Sequence, residues 1–208
     1  MSDIFTRLIN DVRQCTLCQE SLPHGVNPVV QMSPFSKIII AGQAPGLKVH
    51  QSGIPFDDKS GERLRLWLGV DADTFYNDKI FAILPMAFCY PGKGKSGDLA
   101  PRPECAKTWR ETILKQLKQV ELIIAIGGYA QQWHLPETKE KTLTETVKNW
   151  QNYYHNTTPA IIPIPHPSPR NNIWLKKNPW FESDVVPSLQ AQVQKVSLST
   201  LDFIKKHN

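Results

Sequence analysis

Four short runs of branched aliphatic residues constrain the fold of this chain more tightly than any other feature. Lys37-Ile38-Ile39-Ile40-Ala41-Gly42 is the first, and Ile80–Leu84, Leu122–Gly127 and Ala160–Ile164 follow it. Each has the length of a strand and the unbroken apolarity of one buried on both faces. Helical patterns stand between and around them. Residues 3–13 set Ile4, Leu8, Ile9 and Val12 on one side, and Ser60–Leu68 offers a second helix. The clearest is Pro103–Gln119, where Cys105, Trp109, Ile113 and Leu117 recur at i+4 and Pro103 sits where a first turn accepts it. Thr144–Trp150 and Ser183–Val196 complete the set. Strands alternating with helices predict a three-layer α/β/α domain around a parallel sheet of about four strands. No repeat or linker divides residues 1–208, a length suited to one core, so a single domain is expected.

In an open α/β sheet, ligands bind outside the carboxyl ends of the strands, so the loops leaving these runs are where chemistry is sought. The fourth run carries Pro163 and Pro165, which predicts full pairing only for its first residues. It continues as His166-Pro167-Ser168-Pro169-Arg170-Asn171, placing an imidazole, a hydroxyl, a guanidinium and an amide on a loop stiffened by prolines. The alternative is a rigid connector with a satisfied core histidine. Lys176, Lys177 and the tryptophans at 174 and 180 follow, a mixture suited to phosphates and bases.

The first run leaves through Gly42-Gln43-Ala44-Pro45-Gly46, which is neither a Walker loop nor a dinucleotide fingerprint. Its glycines permit close backbone approach to a flat or anionic ligand, or merely a tight strand-to-helix turn. Downstream, Phe56 is a candidate stacking platform, and Asp57 and Asp58 are adjacent carboxylates just ahead of a helix. An aspartate there commonly caps the helix, but two neighbours rarely both do. One is therefore free for acid–base or electrostatic work. His50 is a further candidate partner, or a solvated loop residue.

Cysteine usage narrows the setting. Cys15 and Cys18 form a C-x-x-C pair, and Cys89 and Cys105 follow with none left over. Outside a disulfide-forming compartment this points to Zn²⁺ or an iron–sulfur cluster, between which spacing cannot choose. Such a site would staple the N-terminal segment to residues 89–105; the alternative is four unrelated buried thiols. The N-terminus has no signal-peptide pattern and no run approaches a membrane span, so a cytoplasmic protein with no membrane partner is expected. The net charge of +5 favours anionic partners, nucleic acid first among them. Lys205-Lys206-His207-Asn208 reads as a frayed end.

Taken in order, these residues resemble the uracil-DNA glycosylase superfamily, especially its iron–sulfur branches, families four and five. GQAPG stands where those families have GEGPG, GEAPG or GLAPA, the spacing from Gly42 to Phe56 is similar to family four without a gap, and HPSPRN matches the third motif. The resemblance covers about residues 10–195. It implies a monofunctional DNA glycosylase of base excision repair, a monomer acting on DNA that carries uracil or another deaminated base. His166 would then stabilise the leaving base and Phe56 would stack on it. Gly42, Gln43 and Ala44 would line the pocket. Ser168, Arg170 and Asn171 would hold phosphates or wedge the duplex, with Lys176 and Lys177 on the backbone. The cysteines fall where family four holds a [4Fe–4S] cluster; zinc is the alternative.

Departures from the family pattern matter. Gln43 replaces the acid of family four and Ala44 the acid or amide of other branches, which leaves Asp58, in a D-x-S-G similar to that of family five, as the catalytic carboxylate. Leu84-Pro85-Met86 replaces the asparagine that reads uracil, and Gly46 stands where classical members carry a methyl-excluding tyrosine, implying a permissive pocket. The alternative function is a catalytically weak or inactive iron–sulfur nucleic-acid-binding protein on the same fold.

Overall fold

A computed structural model describes residues 3–95, 97–135 and 137–207, with side chains described for 4–198 of these. The end read as frayed, 205–208, lies outside the described side chains. Four strands form one sheet: β1 (Ile38–Ala41), β2 (Phe81–Ile83), β3 (Leu122–Ile126) and β4 (Ala160–Ile164). All pair in parallel, in the order β2-β1-β3-β4. The chain runs α1 (Asp3–Arg13), β1, α2 (Leu47–Ser52), α3 (Lys59–Leu68), α4 (Ala72–Phe75) and β2. It continues with α5 (Pro103–Cys105), a π segment Ala106–Arg110, α6 (Glu111–Gln116), β3, α7 (Gly127–His134), α8 (Leu143–Lys148), α9 (Trp150–Asn156) and β4. A 3₁₀ turn Pro169–Asn171, α10 (Asn172–Lys177), a second π segment Phe181–Val185 and α11 (Val186–His207) complete it. No described helix is long and apolar enough to cross a membrane.

Strand alternation divides the core in two. Ile38, Ile40, Phe81, Ile83, Ile124 and Ile162 point to one face, against Leu64, Trp67 and Leu68 of α3 and Leu189 and Val193 of α11. Ile39, Ala82, Ile123 and Ile161 point to the other, against Phe5, Leu8 and Val12 of α1 and Ile113 of α6. Both sheet faces are thus covered, which is the three-layer arrangement the aliphatic runs predict.

The structure departs from the sequence reading in local and instructive ways. On α1 it is Phe5 that enters the core, while Ile4 is 66% exposed. The helix expected over 103–119 runs as α5, the π segment and α6 and ends at Gln116; its stripe of Cys105, Trp109, Ile113 and Leu117 packs on the core as expected, and Arg110 is turned into the interior as well. Pairing in β4 does not fade at the prolines, because Pro163 is in register with Ala125 and Ile164 with Ile126. β4 is an edge strand, and half of an edge strand's N–H positions face away from the sheet, where a proline loses no ladder bond.

Candidate active site

The loops after β1 and β4 and the segment ahead of α3 converge on one cavity of about 280 Å³. Gly42, Gln43, Ala44, Gly46, Phe56, Asp58, His166, Ser168 and Arg170 line it, together with Pro85 and Asp98. Most of the residues singled out from the three motifs therefore share one space. A second cavity of about 470 Å³ lies beyond His166, walled by Gly127, Gly128, Tyr129 and Asn171.

His166 stands one residue beyond β4, after Pro165, and the end of that strand is pinned by buried Gln131, whose Nε2 donates to Ile164 O at 3.0 Å. Asn171 Nδ2 donates to His166 O at 2.8 Å. Ser168 N–H donates to His166 Nδ1 at 3.1 Å, so the neutral ring carries its proton on Nε2. Burial lowers the His166 pKa, against which the charges of Asp58 and Asp98 act, while Arg170 lowers it further. The ring is thus held neutral, with an N–H donor available beside the cavity it lines.

Gly42 and Gln43 are fixed by their carbonyls: Met86 N–H donates to Gly42 O (2.8 Å) and Ala87 N–H to Gln43 O (3.1 Å). Gln43 Nε2 donates to Leu99 O at 3.1 Å. Phe56 adopts φ 55°, the left-handed region that a bulky residue seldom occupies. Its ring reaches over Gly42, with Cζ 3.6 Å from where a Cβ there would stand. The strained turn is held by Tyr76, whose hydroxyl donates to Pro55 O at 3.0 Å. A Cβ at Gly61 would stand 1.8 Å from the Phe56 carbonyl oxygen, so only glycine lets α3 start this close to the turn.

Asp58 is the N-cap of α3, its Oδ1 accepting from Gly61 N–H at 2.9 Å. It both caps and lines the cavity. Asp57 does not cap; its carboxylate lies 3.7 Å from Lys48 Nζ. Of the adjacent pair, the capping residue is therefore also the one facing the site.

The other candidates are placed less uniformly. His50 is buried on α2, its Nε2 3.2 Å from His24 O and its ring tilted against Tyr90, and it does not line the cavity. Ser168 Oγ caps the turn after it, accepting from Arg170 N–H at 3.3 Å. Lys176 and Lys177 are exposed on α10. The tryptophans read as base-binding face inward instead: Trp174 Nε1 donates to Thr144 Oγ1 (2.9 Å), Trp180 Nε1 to Asn178 Oδ1 (3.2 Å), and both rings pack on the core. Sequence reasoning missed Asp98, whose exposed loop carries no hydrophobic period or recognised spacing, and Arg110, which lies off the apolar stripe of its helix.

The four cysteines are free thiols, each half-buried. Burial raises Cys105 to about 12, helped by Cys89, Cys18 and Cys15, and raises Cys89 to about 11, helped by Cys15 and Cys18. Burial also raises Cys18, followed by the charge of Glu104. Trp109 Nε1 donates to Cys15 Sγ at 3.3 Å and Phe88 N–H to Cys105 Sγ at 3.4 Å. Even so, no three His, Cys, Asp or Glu among the described residues stand together in an arrangement that would hold a metal ion.

Fold and site together define a parallel α/β domain whose cavity opens at the carboxyl ends of its strands, with an imidazole, two carboxylates and a phenyl ring around it. The chain belongs to the uracil DNA glycosylase superfamily, whose family model matches residues 30–190.

Proposed function

We propose that this protein is a monofunctional DNA glycosylase that flips a uracil or another deaminated base out of DNA and hydrolyses its N-glycosidic bond. The observation that carries the reading is the neutral His166, with Nε2–H free to donate, lining the same small cavity as the Phe56 ring and the Asp58 carboxylate. Bond cleavage leaves a cationic sugar and an anionic base. His166 donates to the charge developing on the base, Asp58 offsets that on the sugar, and Phe56 stacks on the ring. Preorganised donors and charges of this kind are each worth about 3–4 kcal/mol. Extrusion of the base costs a few kcal/mol, least for a mispaired one. Arg170, on the cavity rim, and the exposed Lys176 and Lys177 engage the phosphates.

A [4Fe–4S] cluster on Cys15, Cys18, Cys89 and Cys105 is part of this proposal. Arg110 supports it. The side chain is fully buried, its Nε has no partner, and no carboxylate among the described residues pairs with it. Burial lowers its pKa to about 10, and the nearby group whose ionised form would counter this is Cys105. Buried cations require anionic company, which ligated thiolates supply. The cluster would contribute structure by tying the Cys15 segment to the Cys89 and Cys105 segments.

The test is release of free base from oligonucleotides containing uracil, hypoxanthine or xanthine. Release from at least one is expected. Tight DNA binding with no release from any of the three makes the protein a binder on this fold.

A further inference from the structure

Asp98 lies where nothing in the three motifs directs attention. Lys93 pairs antiparallel with it, and Leu99 N–H donates to Gly92 O at 2.9 Å. Two contacts clip this hairpin onto the site: Gln43 Nε2 donates to Leu99 O, and the Arg170 guanidinium rests on Gly97, with Nη1 2.6 Å from where a Cβ would stand. Asp98 thereby lines both the main cavity and a neighbouring one of about 260 Å³ that also contains His166 and Arg170. Its Oδ2 lies 4.0 Å from the position of a Cβ at Gly46, in the space a side chain there would fill. The nearest hydroxyl, Tyr90 O–H, donates to Oδ1 only at 3.5 Å.

The two carboxylates of the cavity are thus not equivalent. Asp58 has a lone pair taken by the α3 amide and a position fixed by the cap. Asp98 has no such tie, and its charge reaches His166 as that of Asp58 does. Hydrolysis through a cationic sugar is accelerated both by a fixed negative charge near the sugar and by a group that orients the attacking water and takes its proton.

We propose that Asp98 is a catalytic carboxylate of this site, positioning the attacking water and taking its proton, while Asp58 supplies fixed charge from the helix cap. The inference rests on the glycosylase reading above. The C1′–N bond breaks with its electron pair passing to the base, whose developing charge accepts from His166 Nε2–H. The water oxygen forms the new C1′–O bond and gives a proton to Asp98. That proton then leaves to the departing base or to solvent. Tyr90 is a positioning residue for Asp98.

Single-turnover cleavage by the full chain is the experiment, on whichever of the uracil, hypoxanthine or xanthine duplexes the wild type cleaves fastest. Asp98→Asn is expected to lose about 10²-fold or more, the range of a general base, and to flatten the acidic limb of the pH–rate profile. Added formate is expected to restore part of the rate of Asp98→Ala and none of that of Asp58→Ala. Melting temperature and DNA affinity of the Asp98 variants stay within error of wild type, whereas Asp58→Ala also loses the α3 cap and is read against its own melting curve. A rate within about threefold of wild type, or a loss that formate leaves untouched with the pH profile unchanged, overturns the role of Asp98 alone. A wild type that releases no base overturns the glycosylase reading and this inference with it.

Discussion

The two polar regions of this protein treat buried charge in opposite ways. At the cavity, burial holds His166 neutral and the carboxylates sit where a ligand or water reaches them. On the other face of the sheet, Arg110 keeps its charge in full burial, with two carbonyls, one imidazole and an indole face as company. The first region has charge waiting for a partner that comes and goes. The second has charge that needs a permanent one. On the proposed function, that difference separates a site for turnover from a site for structure, although the two share a segment: Arg110 holds Leu84 O and Pro85 O, and Pro85 is a wall of the cavity.

The largest effect that tests this contrast is at the cavity. Asp58→Asn keeps a good capping side chain and removes only the charge, so it separates the two tasks of that residue. Cleavage is expected to fall by about 10²–10³ with folding intact, and His166→Ala to do the same with DNA binding retained. Single-turnover rates alongside melting curves check both. Preserved cleavage in Asp58→Asn would reduce the residue to its cap.

Arg110→Met sharpens the other side. It strands Leu84 O, Pro85 O and His134 Nε2, and unsatisfied buried groups cost about 1–3 kcal/mol each. A loss of several degrees in melting temperature and of bound iron is expected, read by calorimetry and by iron per chain in anaerobically purified protein. An uncompensated buried charge is costly, so its removal would on balance stabilise the fold if no anionic partner were ever bound there. A more stable Arg110→Met with no iron in either protein would therefore remove the cluster from the account.

His134 supplies a pH test of the same region. Burial, followed by the charge of Arg110, lowers its pKa to about 3, against about 6.5 when unfolded. Between those values the unfolded chain binds the extra proton, so stability is complete above about pH 6.5 and is lost as pH falls toward 3. His134→Gln keeps an acceptor for Arg110 Nη2, now 2.7 Å from the imidazole, but does not titrate. Denaturation midpoints measured from pH 7 to pH 4 should fall less in the variant than in the wild type. His166, also lowered by burial, contributes in the same direction and remains in both.

These regions were unequally legible in the sequence. Strands were readable because a strand buried on both faces has to be apolar at every position, as Ile38, Ile39 and Ile40 are. The loops at Gly42 and His166 were readable because glycines and prolines mark turns. Phe56 was visible as an aromatic, but its positive φ and its dependence on Gly61 are tertiary facts. Arg110 lies off the apolar stripe of Cys105, Trp109, Ile113 and Leu117, and nothing in a helical period marks a cation as buried. Trp174 and Trp180 looked like a base-binding pair because composition does not say which way an indole faces. Asp98 sits in a segment with no period at all, and only the clip from Gln43 and Arg170 brings it to the cavity.

The smallest expected effect concerns the surface that serves the first region. Lys93, Lys95, Arg170, Lys176 and Lys177 are exposed and flank the cavity or follow its loops in the chain, whereas Ser168 Oγ and Asn171 Nδ2 are occupied within their own loop. Ser168 keeps its O–H and Asn171 a second N–H to donate, but on the glycosylase proposal the salt dependence comes from the cations. About four such contacts predict a slope near −3 to −4 for log affinity against log salt on duplex DNA. Lys176→Ala with Lys177→Ala should reduce that slope by about 2 while leaving single-turnover cleavage at saturating protein unchanged, since neither side chain reaches the cavity. The hairpin lysines differ, because moving that hairpin also moves Asp98. Lys93→Ala with Lys95→Ala should lower the slope by a similar amount and also slow cleavage. Equal cleavage in both double variants would mean that the hairpin contributes charge to the surface and nothing to the chemistry beneath it.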